Sequence, residues 1–129
     1  MPAHLGIVHR RRMEGSIRDL YRRSSVVAIA LRPSIGIFGI TVALEAMACA
    51  RPVVMTANPG LEEYLTDGVT GMLVPPGDDA AFAEAVSSLL ADPDAATAMG
   101  RAGRQAVEDR FTTGHVAAGL ARVLHHRIR

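Results

Sequence analysis

The sequence predicts an α/β fold, a partial parallel sheet followed by a helical C-terminal tail. Two observations carry this. Two apolar runs rich in β-branched residues, VVAIAL (residues 26–31) and PVVMT (52–56), flank a stretch with helical spacing, and that alternation is the mark of a parallel sheet. From Asp78 onward the apolar residues recur at helical spacing to the end of the chain. With 49% apolar and 21% charged residues, the 129-residue chain reads as globular. It is long enough for one domain, 1–129, and short for an enzyme that must bind two substrates.

Each element has a local cause. HLGIV (4–8) is a short candidate strand. In GSIRDLYRRSS, Ser16 stands as an N-cap with Asp19 three residues on, and Ile17, Leu20 and Tyr21 are expected on one face of a short amphipathic helix. The run 26–31, stopped by Pro33, fits a strand buried on both faces. Gly36 and Gly39 make a loop before the helix ITVALEAMACA. PVVMT is a second buried strand, with Pro52 allowed only at its first position. NPGLEEYL reads as a turn and a short helix that Glu62 and Glu63 favour at its positive end, and DGVTG as a turn into the strand Met72–Val74. Asp78 or Asp79 caps the next helix, with Phe82, Val86, Leu89 and Leu90 on one face. Asp92 with Pro93 opens another, and Thr112 or Thr113 opens the last, striped by Val116, Leu120, Val123 and Leu124.

Charge and cysteine content exclude several classes. The net charge of +1 argues for no nucleic acid, although residues 1–60 carry +5 and residues 61–129 carry −4. All basic residues are Arg, so no Lys base or Schiff base exists. The single Cys49 excludes an intrachain disulfide, and it reads as a small hydrophobe with no His close in sequence. No signal-like or membrane-length apolar run is visible, and the chain is expected to be soluble and cytoplasmic.

The segment with chemical content is SIGIFGITVALEAMACARPVV (34–54), in which Glu45 is the one carboxylate. A buried strand, a glycine loop and a helix start create a ligand site at the carboxyl end of a parallel sheet. There the loop admits a ligand close to the backbone, and the positive helix end suits a diphosphate. Glu45 falls about one turn into that helix, where its oxygens can accept bonds from both hydroxyls of a ribose. Read alone, the pattern favours a solvent-facing Glu45. Gly36 and Gly39 lack the third glycine and later acid of a dinucleotide fingerprint. Arg10, Arg11, Arg12, His115, His125 and His126 read as surface, and Met47, Met55 and Met72 as core filler.

PSIGIFGITVALEAMACARPVV, then NPGLEEYLTDGVTGMLVPPGD, then RAGRQAVEDRFT, resemble the donor-binding domain of GT-B fold glycosyltransferases of the retaining family 4 type, from about Gly15 onward. The resemblance implies the C-terminal half of such an enzyme, a partial Rossmann-like domain that is N-terminally truncated and lacks the acceptor domain. It implies retaining transfer of a sugar from a nucleoside diphosphate sugar to an acceptor hydroxyl. Glu45 would hold the ribose, the N–H groups of Gly39, Ile40 and Thr41 with the Thr41 hydroxyl would hold the diphosphate, and Gly36 would let the donor approach. No metal or other cofactor is required, and the departing phosphate serves as the base. The family has an acid eight residues before the second Glu, where Ile37 stands here, and a Gly after EAMAC, where Ala50 stands. Its upstream Arg and Lys pair has no match. The expected core is therefore three parallel strands with an uncovered edge beside the first. The alternative is an inactive fragment that serves as a nucleotide-binding or assembly module, or that needs a second chain to supply the acceptor domain or cover that edge.

Overall fold

The computed structural model describes residues 17–33 and 39–110. Its elements run α1 (Ile17–Arg23), β1 (Val27–Ile29), α2 (Ile40–Ala48), β2 (Val53–Thr56), a 3-10 turn (Leu61–Glu63), β3 (Met72–Val74), α3 (Asp79–Ala91) and α4 (Pro93–Arg110). The strands form one parallel sheet in the order β1-β2-β3, with Val27 opposite Val53 and Val54 opposite Met72. The candidate strand 4–8, the Ser16 cap and the helix expected after Thr112 lie outside the described residues.

Alternation along central β2 builds a core on each face of the sheet. Val53 and Met55 pack with Ile29 beneath Ala43, Ala46 and Met47 of α2, joined by Tyr21, Leu61 and Leu65. Val54 and Val74 pack on the other side with Ala85 and Leu89 of α3 and Met99 of α4. All four β2 residues are buried, as expected of a strand covered on both faces.

Three expectations need correction. β1 is shorter than the apolar run and Ala28 within it is exposed, so it is buried on one face only. It ends early because the Leu31 N–H leaves the ladder for the Thr56 hydroxyl at 2.8 Å. Leu20 is 40% exposed while Tyr21 is buried, so α1 has a narrower apolar face than its sequence suggests. Leu90 is 56% exposed, because Phe82, Ala85, Val86 and Leu89 already complete the apolar stripe of α3 and the next residue points about 100° away.

The caps follow the sequence. Asp78 accepts from the Ala81 N–H at 2.9 Å and Asp92 from the Ala95 N–H at 3.1 Å. Glu62 Oε2 accepts from the Gly60 N–H at 3.1 Å, the capping role expected of this acidic pair. At the end of α2 the Arg51 N–H bonds the Ala46 carbonyl and the Ala50 N–H bonds that of Met47, a Schellman closure. Its left-handed position is Ala50, at φ 55, where the resemblance implies Gly. Arg104 from α4 caps the Ala48 carbonyl. Gly100 of α4 lies so close that a Cβ there would collide with the Ala50 carbonyl oxygen.

Candidate functional site

The carboxyl ends of β1 and β2, the start of α2 and the loop after β2 converge at one end of the sheet. Gly39 begins α2 in the left-handed region, at φ 81, and the Ala43 N–H closes the first turn on its carbonyl at 3.0 Å. A Cβ at Gly39 would stand 3.0 Å from Met55 Cε and 3.1 Å from Ile29 Cγ2, so packing as well as φ selects glycine. Gly39 has no side chain to cap this start and no acid lies in the first turn, so among the described residues the partial positive charge of its leading N–H groups is not offset. Ile40 sends its side chain into the core and offers only its backbone, while Thr41 is exposed.

Glu45 is four residues beyond Thr41 and shares its face, about 6 Å further along the axis. The carboxylate is half-buried, and its Oε2 accepts a hydrogen bond from the Tyr21 hydroxyl at 2.8 Å. Tyr21 itself is 6% exposed. Burial first, then the hydrogen bond to Glu45 and that residue's negative charge, push the phenol above its ordinary value. Tyr21 is therefore a fixed donor, and Glu45 keeps its remaining lone pairs for another partner. The solvent-facing alternative for Glu45 gives way to an oriented carboxylate. Of the expected site residues, Gly39, Ile40, Thr41 and Glu45 come together, while Gly36 and the neighbouring Ile37 lie outside the described residues.

Three residues here escape sequence reasoning. In the sequence Tyr21 reads only as part of an apolar helix face. Thr56 holds the Leu31 N–H, and Asn58 Nδ2 donates to the Arg32 carbonyl at 3.1 Å, so side chains at and just after the end of β2 fix the path of the chain after β1. Asn58 is 1% exposed and its Oδ1 has no hydrogen-bond partner among the described residues. Those links span about 25 residues and leave no local pattern to read.

A cleft of about 190 Å³ opens beside these carboxyl ends on the α3 face, lined in part by Leu31, Thr56, Asp78 and Phe82. It does not include Gly39, Thr41 or Glu45. A larger cleft, of about 400 Å³, lies at the amino ends of the strands. Among the described residues no group of three or more His, Cys, Asp or Glu side chains is placed to hold a metal ion, and no helix is long and apolar enough to cross a membrane.

Comparison with known proteins gives consistent matches. Residues 3–106 match the family described as glycosyl transferases group 1. Over 87 residues the chain is 46% identical to D-inositol 3-phosphate glycosyltransferase of Kribbella flavida, covering 67% of this chain and 20% of that protein. Sucrose-phosphate synthase of Thermosynechococcus elongatus superposes with a TM-score of 0.73 at 35% identity, covering 84% of this chain and 27% of the other. HepE of Anabaena, in complex with UDP and glucose, superposes with a TM-score of 0.75 at 25% identity, covering 83% of this chain and 29% of that one. The fold is that of the C-terminal domain of GT-B glycosyltransferases. The chain spans about a fifth to a quarter of the length of the curated relatives it matches.

Proposed function

The chain belongs to the glycosyl transferases group 1 family, and we propose that it is the donor-binding domain of a retaining, family 4 type glycosyltransferase. In this reading it takes a nucleoside diphosphate sugar and presents the sugar to an acceptor hydroxyl. The observation that carries it is the pairing of an uncapped α2 start, led by left-handed Gly39, with a Glu45 carboxylate oriented by Tyr21 one turn along the same helix.

The mechanism follows from charge. The diphosphate lies against the N–H groups of Gly39, Ile40 and Thr41 and the Thr41 hydroxyl, where the helix dipole offsets the negative charge that grows as the sugar–phosphate bond breaks. Glu45 accepts hydrogen bonds from the ribose hydroxyls and fixes how far the nucleotide extends along α2. Gly36 gives the donor room to approach, and the departing phosphate takes the acceptor proton. Neither a metal nor another cofactor enters this scheme. Acceptor recognition belongs to polypeptide beyond the matched domain, in the same chain or in a second one.

A specific sequence feature favours a second reading, nucleotide binding without transfer. Ile37 stands where the family places the acid that contacts the donor sugar, so an acceptor for sugar hydroxyls is replaced by an apolar side chain. In that case the chain serves as a nucleotide-binding or assembly module.

Titration of the isotope-labelled chain with UDP, GDP and ADP tests both readings at their common step. One nucleotide is expected to shift the amide signals of Gly39 to Val42 saturably. If none of the three perturbs them, the donor-site assignment is wrong. Transfer and binding alone are then separated by whether the bound nucleotide's sugar conjugate is consumed.

A further inference from the structure

The 400 Å³ cleft at the amino ends of the strands has no part in the scheme above. Its polar wall is Ser25, Arg51, Thr97 and Arg101, and its apolar wall includes Leu90 and Pro93. Among the described residues no carboxylate lines it. Asp92, beside Pro93, spends an oxygen on the Ala95 N–H, and Asp94 lies exposed in the first turn of α4. Two guanidinium groups thus share one cleft with no lining acid to offset their repulsion.

Arg51 is not spent on the fold around it: its Nε–H, shielded from water, has no hydrogen-bond partner among the described residues. Duty as a cap for α2 does not explain it. The Ala46 and Met47 carbonyls are taken by backbone N–H groups, and that of Ala48 by Arg104. An anion in the cleft would offset the repulsion between the two guanidinium groups. The hydroxyls of Ser25 and Thr97 supply two further donors, and 56%-exposed Leu90 offers a carbon surface beside them.

We propose that this cleft binds a small organic phosphomonoester, with Arg51 and Arg101 on the phosphate and the carbon body against Leu90 and Pro93. The volume falls in the range of small-ligand sites. A nucleotide is disfavoured, because among the described residues no aromatic side chain lines the cleft to stack on a base. The site is distinct from the donor site. The four residues of β2 alone separate the two ends of the sheet by about 13 Å.

Ribose 5-phosphate, inorganic phosphate and ribose serve as probes at constant ionic strength, read by amide shifts of the full chain. Ribose 5-phosphate is expected to shift Ser25, Arg51, Thr97 and Arg101 saturably, inorganic phosphate to do so more weakly, and ribose not at all. Arg51→Gln and Arg101→Gln should each weaken binding about tenfold, the loss of one charge-assisted contact, while Glu45→Ala leaves it unchanged. Exposed Arg101 carries the test if Arg51→Gln does not fold. The proposal is overturned by shifts confined to Gly39 to Val42, by the absence of saturable shifts, or by binding that Arg101→Gln leaves unaltered, which would mark an adventitious anion.

Discussion

Glu45 and Tyr21 make the site a property of a pair. The position of Glu45 one turn into a helix that follows a glycine loop was legible in the sequence, because the spacing alone sets it. The partner was not legible, because the hydrogen bond joins residues 24 apart and Tyr21 also fits the apolar pattern of its own helix. Tyr21→Phe keeps the ring and removes the donor. It is expected to cost about 1 kcal/mol of stability at neutral pH and to weaken nucleotide binding several-fold. The alkaline limb gives the cleaner signature. The phenol binds its proton more tightly in the folded chain than in the unfolded one, so its contribution is complete below about pH 10 and is lost as the pH rises beyond that, by about 1.4 kcal/mol per pH unit. Denaturant unfolding of the two proteins near pH 8 and near pH 11 should show the wild type losing this increment and Tyr21→Phe keeping its stability. Parallel losses would mean that Tyr21 is not the group responsible.

Helix α2 links the site to the rest of the fold, and both of its ends depend on left-handed residues. At its start the residue is Gly39, and at its end it is Ala50, where a Cβ is strained. Ala50→Gly should relieve the strain, offset partly by the greater freedom of glycine in the unfolded chain, for a net gain of roughly 0.5–1 kcal/mol. An unchanged or lower melting temperature would show that the closure is not strained. Gly100→Ala acts in the opposite sense. A methyl group driven at the Ala50 carbonyl must part α4 from α2, at a cost of about 1–3 kcal/mol, and thermal unfolding that stays within a degree of wild type would contradict this packing. The element types were legible because caps and apolar periods are local, as at Asp78, Asp92 and β3. The misread points, the extent of β1 and the exposure of Leu20 and Leu90, are set by which neighbour covers a face. One-dimensional patterning carries no such information.

At the scale of the whole molecule, the parallel sheet separates two chemistries. Its carboxyl ends carry the uncapped helix start and the oriented carboxylate, and its amino ends carry the paired arginines. The three-strand parallel core was legible from the alternation of apolar runs and helical stretches, and the start of α2 at its carboxyl end from the glycine loop between them. The amino-end cleft was not, since Arg51 and Arg101 are fifty residues apart and meet only because Gly100 brings α4 against the end of α2. The central claim, that Glu45 reads the ribose of a nucleotide held on α2, is tested most directly by calorimetric titration of the wild type and Glu45→Ala. The ligands are the preferred nucleoside diphosphate and its 2′,3′-dideoxy analogue. The wild type should bind the parent nucleotide at least about tenfold more tightly than the analogue, and Glu45→Ala should bind both equally weakly. A Glu45→Ala protein that still prefers the parent nucleotide as strongly as the wild type, or a wild type that binds neither, would contradict the account.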